Sequence, residues 1–509
     1  MCLFSKRSVP TLLQIGRKKC YYPRKCLSSN QQKVRAFEEI PGPTSLPLIG
    51  TLHLYAPFVG RYHFDRLHQN ALKNYNLYGP IIREEIVPGE HIVWLGDPDD
   101  IAKMFHTEGV YPHRRSHLTL EKYRLDRPHI YNSGGLLPTN GPEWARMRKT
   151  FQKGLSSPAE AISFIGDSND IITEWMDTRL AQIYKDDCVD FLPELSRLFL
   201  ELVGVAAFDI RFNSFTDEEI QPDSKSAKLI DSAFVSNSTI LKTDNGPQLW
   251  RKFETPAYRR FKKAQEFMES VAIDLVALKM STFREKTQNS PTLLESYIAN
   301  ESLDFKDIIG IVCDFLLAGM DTTTYTSGFL LYHLATNPSV QEKLFEEASR
   351  LLPSPSDSVT PEIYNDAKYA KCVVKESLRL RPISIGVGRV LTSDVVFSGY
   401  NVPAGTVVVT LNQVLSRLEK YFPEPNAFKP ERWIKNDPLY KRTHPYLVIP
   451  FGHGQRTCIA RRFAEQNMIM LILRLARKYK LSWSGSEIDS KSLLINKPDG
   501  PILLKWEER

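Results

Sequence analysis

A single large α+β domain, mainly helical with small sheets, is predicted by three features of the 509-residue chain. Residues 304–336 form one long helical stretch, apolar on nearly every face and stopped by Asn337-Pro338, and such a helix belongs in the centre of a large core. Helical patterns fill most of the middle of the chain. Strand signals are confined to short runs beside glycine and proline, at residues 81–95, 395–411 and 493–504. A hydrophobic content of 42% with 25% charged residues suits a globular enzyme and excludes a disordered tail, a collagen-like fibre and a disulfide-stapled miniprotein.

The first element in order is a leader. Nine basic residues (Lys6, Arg7, Arg17, Lys18, Lys19, Arg24, Lys25, Lys33, Arg35) precede the first acid, Glu38. From there on, 57 basic face 59 acidic residues, so the net charge of +7 belongs to the leader and no nucleic-acid partner is expected. Ser5, Ser8, Thr11, Ser28 and Ser29 complete the composition of a mitochondrial transit peptide, with a basic arm as the alternative. Residues 1–36 are therefore assigned to the leader and 37–509 to the folded domain. No uncharged apolar run of membrane-spanning length occurs.

Pro41-Gly42-Pro43-Thr44-Ser45-Leu46-Pro47 is a stiff segment at which the body begins, and residues 81–95 read as a hairpin around Pro88-Gly89. Trp250, Phe253, Tyr258 and Phe261 mix with six basic residues between positions 250 and 263, which suits either an anionic bilayer surface or a solvated helix with an ordinary core stripe. Seven cysteines are present without a C-x-x-C, which excludes zinc ribbons, thioredoxin chemistry and covalent haem attachment.

The most specific segment is Phe451-Gly452-His453-Gly454-Gln455-Arg456-Thr457-Cys458-Ile459-Ala460-Arg461-Arg462, a glycine-broken loop carrying one cysteine just before an amphipathic helix. Glycine lets the backbone approach a flat ligand closely, and a helix start favours a thiolate. A lone thiolate suits a single axial bond to haem iron, where it pushes electron density toward the metal.

Phe451, Gly454, Arg456 and Cys458 match F-x-x-G-x-R-x-C-x-G, and the chain here resembles the cytochrome P-450 family of haem-thiolate monooxygenases, with Ala460 standing where that family usually has glycine. The resemblance implies the family's fold and haem b, with Cys458 as axial ligand. Glu376-Ser377-Leu378-Arg379 and Phe428-Lys429-Pro430-Glu431-Arg432-Trp433 resemble two further motifs, which implies a buried network of Glu376, Arg379 and Arg432 bracing the haem loop. Ala318-Gly319-Met320-Asp321-Thr322-Thr323 resembles the oxygen-binding kink. There Gly319 would leave room beside the iron, and Asp321 and Thr322 would relay protons; back-bonding to the preceding turn is the plain alternative for the threonines. Trp144 and Arg148 resemble W-x-x-x-R, and with Arg389 and Arg456 they would hold the propionates. Leu136, Leu317, Ala318 and residues 383–387, Ile383 and Val387 among them, are expected to line an apolar pocket.

Nothing in the chain resembles a flavin or nicotinamide domain, so electrons must come from another protein. Lys371, Lys375, Arg461 and Arg462 match basic positions at which mitochondrial members bind an acidic two-iron two-sulfur ferredoxin, itself served by an NADPH-dependent reductase. The resemblance is to the insect mitochondrial branch, over residues 134–144, 386–389, 451–462 and 494–499. It implies an enzyme on the matrix side of the inner mitochondrial membrane that uses O₂ to hydroxylate an apolar steroid. The step implied is side-chain hydroxylation at carbon 22, from 2,22-dideoxyecdysone to 2-deoxyecdysone, in moulting-hormone synthesis. Another sterol or a xenobiotic as substrate, an isomerase or dehydratase that does not use O₂, and a haem sensor without chemistry are the rival readings.

Overall fold

The computed structural model describes residues 33–509 apart from 57, 59, 184–188, 246–247 and 283–291; most of the leader lies outside the described residues. The chain is mainly helical around the central helix Phe305–Thr336. Asp304 caps this helix by accepting from the Asp307 N–H at 2.9 Å, and Asn337 ends it ahead of Pro338. It packs against the helices Leu192–Val203, Lys225–Asp244, Pro256–Thr282 and Lys368–Leu380. Among the described helices this one alone is long and apolar enough to cross a membrane, yet 78% of its apolar window is buried inside the protein, as befits a core helix.

One sheet of four strands lies at the side of the helical body, in the order Ile81–Val87, Glu90–Leu95, Val407–Thr410, Gly388–Val390. Its first two strands form the expected hairpin, with Ile81 opposite Leu95 and Gly89 at φ +82° in the turn. The sheet matters for function because Gly388–Val390 carries Arg389 to the edge of the helical body. Val395–Phe397 and Tyr400–Val402 form a second hairpin around Gly399. The strand signals at residues 493–504 resolve into parts of two separate sheets. Asn496–Pro498 pairs with Ser490–Ser492, and Leu504–Glu508 pairs with Tyr479–Trp483.

The stretch from Trp250 to Lys263 follows the second of its two readings. Trp250, Tyr258 and Phe261 are buried in the core, and Trp250 Nε1 donates to Thr243 O at 2.9 Å. Only Phe253 of the four aromatic residues is exposed, so the turn Leu249–Arg251 and the start of the helix Pro256–Thr282 carry an ordinary core stripe rather than an aromatic bilayer face.

Candidate active site

Cys458 stands between a tight loop and the helix Arg461–Lys478. Gly452 and Gly454 adopt φ of +75° and +74°, which L-residues rarely accept, and these turns bring the chain back so that the Cys458 N–H donates to Phe451 O at 2.9 Å. At Gly454 a Cβ would meet only the carboxylate end of Glu108, so the positive φ is what calls for glycine there. Cys458 keeps accessible surface, while burial by the surrounding protein raises its thiol above the ordinary value, partly offset by the Ala460 N–H and Arg148. A sulfur that lines a hollow inside the molecule has both properties.

The central helix supplies a second accessible surface. In its buried middle, Phe315, Ala318, Gly319 and Thr322 retain exposure, and their spacing places them on one helical stripe. Leu317 is not part of it: at 1% exposure it packs into the core on another face, which corrects its assignment to the pocket, and Phe315 is the residue that the sequence reading missed. Leu136 is largely buried in the same core cluster, whereas Ile383 and Val387 are half-buried.

Gly319 also makes room for a neighbouring helix. A Cβ there would meet Val203 Cγ2 at 2.8 Å, so the missing side chain lets the Leu192–Val203 helix approach, and the central helix runs through this point without a break. Thr322 Oγ1 donates to Ala318 O at 2.7 Å and Thr323 Oγ1 to Gly319 O at 2.6 Å, the back-bonding pattern of buried threonines. Asp321 points to the Lys225–Asp244 helix, where Asn237 Nδ2 donates to its Oδ2 at 2.9 Å. Burial pushes the Asp321 carboxyl up to about 6, against the smaller opposing pull of Asn237 and Lys497.

Cations gather beside the loop. Arg456 lies over the Trp144 ring at 4.1 Å, donates from Nε to Pro112 O at 2.6 Å and from Nη2 to Asn140 Oδ1 at 2.7 Å, and keeps a buried Nη1 with no partner among the described residues. Burial, then its neighbours Arg114, Arg389 and Arg148, lower the Arg456 guanidinium to about 8. Burial likewise brings Arg114 to about 10, with Arg389 and Arg148 adding to the effect, and lowers Arg148. Arg389 donates from Nε to Glu108 at 2.5 Å and from Nη2 to His453 O at 3.1 Å. Four guanidiniums thus crowd together with Glu108 as the acid paired to Arg389. Such mutual repulsion in a partly dry site fits a dianionic ligand, and the two carboxylates of a porphyrin supply that charge. Arg114 was not predicted; only its place in Arg114-Arg115, without a motif, marked it in the sequence.

Glu376, Arg379 and Arg432 meet in the interior at 0, 0 and 5% exposure. Arg379 binds Glu376 bidentately at 2.9 and 2.8 Å, while Arg432 Nε, Trp433 Nε1 and the Lys429 N–H reach the same carboxylate at 2.9, 2.9 and 3.0 Å. The remaining donors of Arg379 hold the carbonyls of Ser416, Pro425 and Ala427, so one carboxylate and two guanidiniums organise residues 416–433.

Near the Cys458 loop, Lys375 rests 4.0 Å over the Trp433 ring and Lys371 4.6 Å over that of Tyr364. Arg461 is exposed and pairs with Glu465 at 3.2 Å, and Arg462, also exposed, donates to Ser156 O at 2.8 Å. Burial lowers both lysines, and Arg461 adds to the effect on Lys375, so the first turns of the Lys368–Leu380 helix and the start of the Arg461–Lys478 helix present one cationic area. A cleft of about 1360 Å³, bordered by His68, Tyr332, Arg381 and Arg417, includes neither Cys458 nor any of the four clustered guanidiniums.

Comparison with known proteins accords with this arrangement. The cytochrome P-450 family model matches residues 40–506. The chain is 48% identical to the mitochondrial cytochrome P-450 302a1 of Drosophila melanogaster over 485 residues, 94% of this chain and 97% of that protein. It is 30% identical to the probable mitochondrial cytochrome P-450 301a1 of the same fly, over 95% of this chain and 89% of the relative. Identity to the fly's ecdysone 20-monooxygenase is 26%, covering 94% of this chain and 90% of that enzyme.

Proposed function

The chain belongs to the cytochrome P-450 family, a haem b monooxygenase, and from that premise we propose that Cys458 is the iron ligand of a mitochondrial enzyme that hydroxylates an ecdysteroid precursor at carbon 22. The observation that carries the site assignment is the accessible Cys458 sulfur at a glycine turn beside the mutually repelling Arg114, Arg148, Arg389 and Arg456. Haem b bound there supplies the one-electron and O₂ chemistry.

The protein's own groups do the rest. Arg148, Arg389, Arg456 and the additional Arg114 hold two carboxylates, with Trp144 stacked beneath Arg456. Phe451 and Gly454 shape the loop on the cysteine side. Across the hollow, Ala318 and Thr322 face the substrate; the Thr322 hydroxyl spends its hydrogen on Ala318 O and leaves oxygen lone pairs able to accept from water. Asp321, titrating near 6, exchanges protons readily at neutral pH and feeds Thr322 through such water. Glu376, Arg379 and Arg432 keep the 416–433 segment and, through it, the cysteine loop in place.

Support for a steroid comes from the resemblance over residues 134–144 and 494–499 and from a relative named for ecdysone oxidation. Relatives named mitochondrial support that compartment, with residues 1–36 as transit peptide and the enzyme peripheral on the matrix side of the inner membrane. The same relatives favour electron delivery by a two-iron two-sulfur ferredoxin and its reductase at Lys371, Lys375, Arg461 and Arg462. The test is turnover of 2,22-dideoxyecdysone by the purified enzyme with ferredoxin, its reductase and NADPH. Ferredoxin-dependent 2-deoxyecdysone is expected; oxidation at another carbon only, or equal turnover without ferredoxin, contradicts the reading.

A further inference from the structure

The cleft of about 1360 Å³ takes no part in the chemistry described so far, yet its walls combine the two properties of a ligand site. It opens between the helix Leu67–Tyr78, the end of the central helix, the helix Pro338–Leu351 and the residues that follow Asn412–Leu415. That is room for a molecule of tens of atoms, far more than a bare ion needs. Leu72, Tyr332, Val340, Val414, Phe428 and Leu439 make up an apolar part of the lining, and Leu72 and Leu439 remain 44 and 38% exposed. Leucines left open to water in a concave wall gain by any apolar body that covers them.

The cations of the same wall have acids beside them, with one exception. Arg381 pairs with Asp489 at 2.5 Å, Lys343 with Glu431 at 2.7 Å and Lys429 with Glu424 at 2.5 Å. Arg417 makes no side-chain hydrogen bond and no ion pair among the described residues. Only its Nε is shut off from solvent, so the two terminal nitrogens keep accessible, unshared N–H groups at the cleft that the residue borders. Burial, then Arg381, lower the Arg417 guanidinium to about 10, against the opposing pull of Asp489. Other unpartnered atoms in the wall lean the same way: Arg381 Nε and Gln413 Nε2 are donors, and only the ring nitrogens of His68 and His333 are able to accept. A half-dry wall with surplus donors and one unpaired cation favours an anion. Asp437 and Glu487 also border the cleft without pairing with Arg417, and they disfavour an anion of more than one charge.

We propose that this cleft binds a long-chain carboxylate, its head held by the terminal nitrogens of Arg417 and its chain laid on the apolar wall that includes Leu72, Val414 and Leu439. The planar carboxylate matches the fork of the guanidinium and carries a single charge. Cys458 and the four arginines beside it are absent from the lining, so the binding is additional to the proposed hydroxylation and independent of the steroid reading.

Calorimetry on the holoenzyme tests this, with the haem pocket first filled by an azole that ligates iron so that only a second site is read. The probes are decanoate, decanol and butanoate. Decanoate is expected to bind at least about 10-fold more tightly than either, since decanol lacks the charge and butanoate most of the chain. Arg417→Gln breaks no contact, so its melting temperature without ligand should equal the parent's, while its affinity for decanoate falls about 10- to 100-fold and that for decanol is unchanged. Leu72→Asp should weaken decanoate and leave butanoate as it was. Equal affinity of the parent for decanoate and decanol, equal affinity of parent and Arg417→Gln for decanoate, or loss of the decanoate heat once the azole is bound each overturns the inference.

Discussion

Asp321 shows how one position in a core helix can be costly and useful together. Its carboxyl, buried against Asn237, titrates near 6, well above an Asp in an unfolded chain, so the folded protein favours the protonated acid. The contribution has a definite sign. Below about pH 4 the group is protonated in both states and costs nothing. As pH rises from about 4 to about 6 the unfolded chain ionises while the buried group resists, so stability falls by on the order of 3 kcal/mol and then levels off once the folded state also carries the poorly solvated charge. Asp321→Asn should remove that slope, so unfolding curves of parent and variant should diverge between pH 4 and 6 and run parallel above it. Parallel curves throughout would mean that the acid titrates normally. An Asp in an apolar stretch was legible in the sequence, but its partner was not: Asn237 lies 84 positions away and carries no motif.

At the scale of elements, the Lys368–Leu380 helix and the loop at residues 416–433 are joined through Glu376. Arg379→Ala leaves that carboxylate with one guanidinium fewer and frees three backbone carbonyls, a loss of about 3–5 kcal/mol. The expected outcome is a lower melting temperature together with loss of haem from the purified protein, measured by absorbance relative to protein. A variant with full haem content would show that the network does not brace the cofactor site. The helix and its motif could be read directly because i, i+3 spacing puts Glu376 and Arg379 on one face. The short strands near the C-terminus could not, since their pairing with Tyr479–Trp483 and Ser490–Ser492 depends on tertiary neighbours rather than on local alternation. For the same reason the aromatic residues at 250–261 looked like a surface for lipid when most of them were core: periodicity gives a face, not what covers it. Leu317 failed similarly, one position from the accessible Ala318, where a turn of 100° separates hollow from core.

For the molecule as a whole, the leader and the folded body carry opposite electrostatic characters, and the cationic area at Lys371, Lys375, Arg461 and Arg462 stands out against a nearly neutral body. If an acidic ferredoxin docks there, Lys371→Gln should slow ferredoxin-driven reduction several-fold at low ionic strength, with the difference shrinking as salt is added. Stopped-flow reduction at two ionic strengths checks it, and a rate indifferent to both salt and the substitution would move the docking face elsewhere. The fold class was legible from a single long apolar helix and a few glycine-marked turns, because burial on every side leaves an unmistakable composition. The cofactor cradle was legible only where loop residues adjoin in sequence; Arg114 and Glu108 join it from distant segments and were invisible until the chain folded. The claim on which the rest depends is that the Cys458 sulfur holds the haem iron, and the spectrum of the reduced, carbon monoxide-bound protein tests it most directly. The parent protein is expected to show the long-wavelength Soret band of thiolate ligation and Cys458→Ser to lose it, whereas a parent band at the position of histidine-ligated haem, or an unchanged band in the variant, would contradict the assignment.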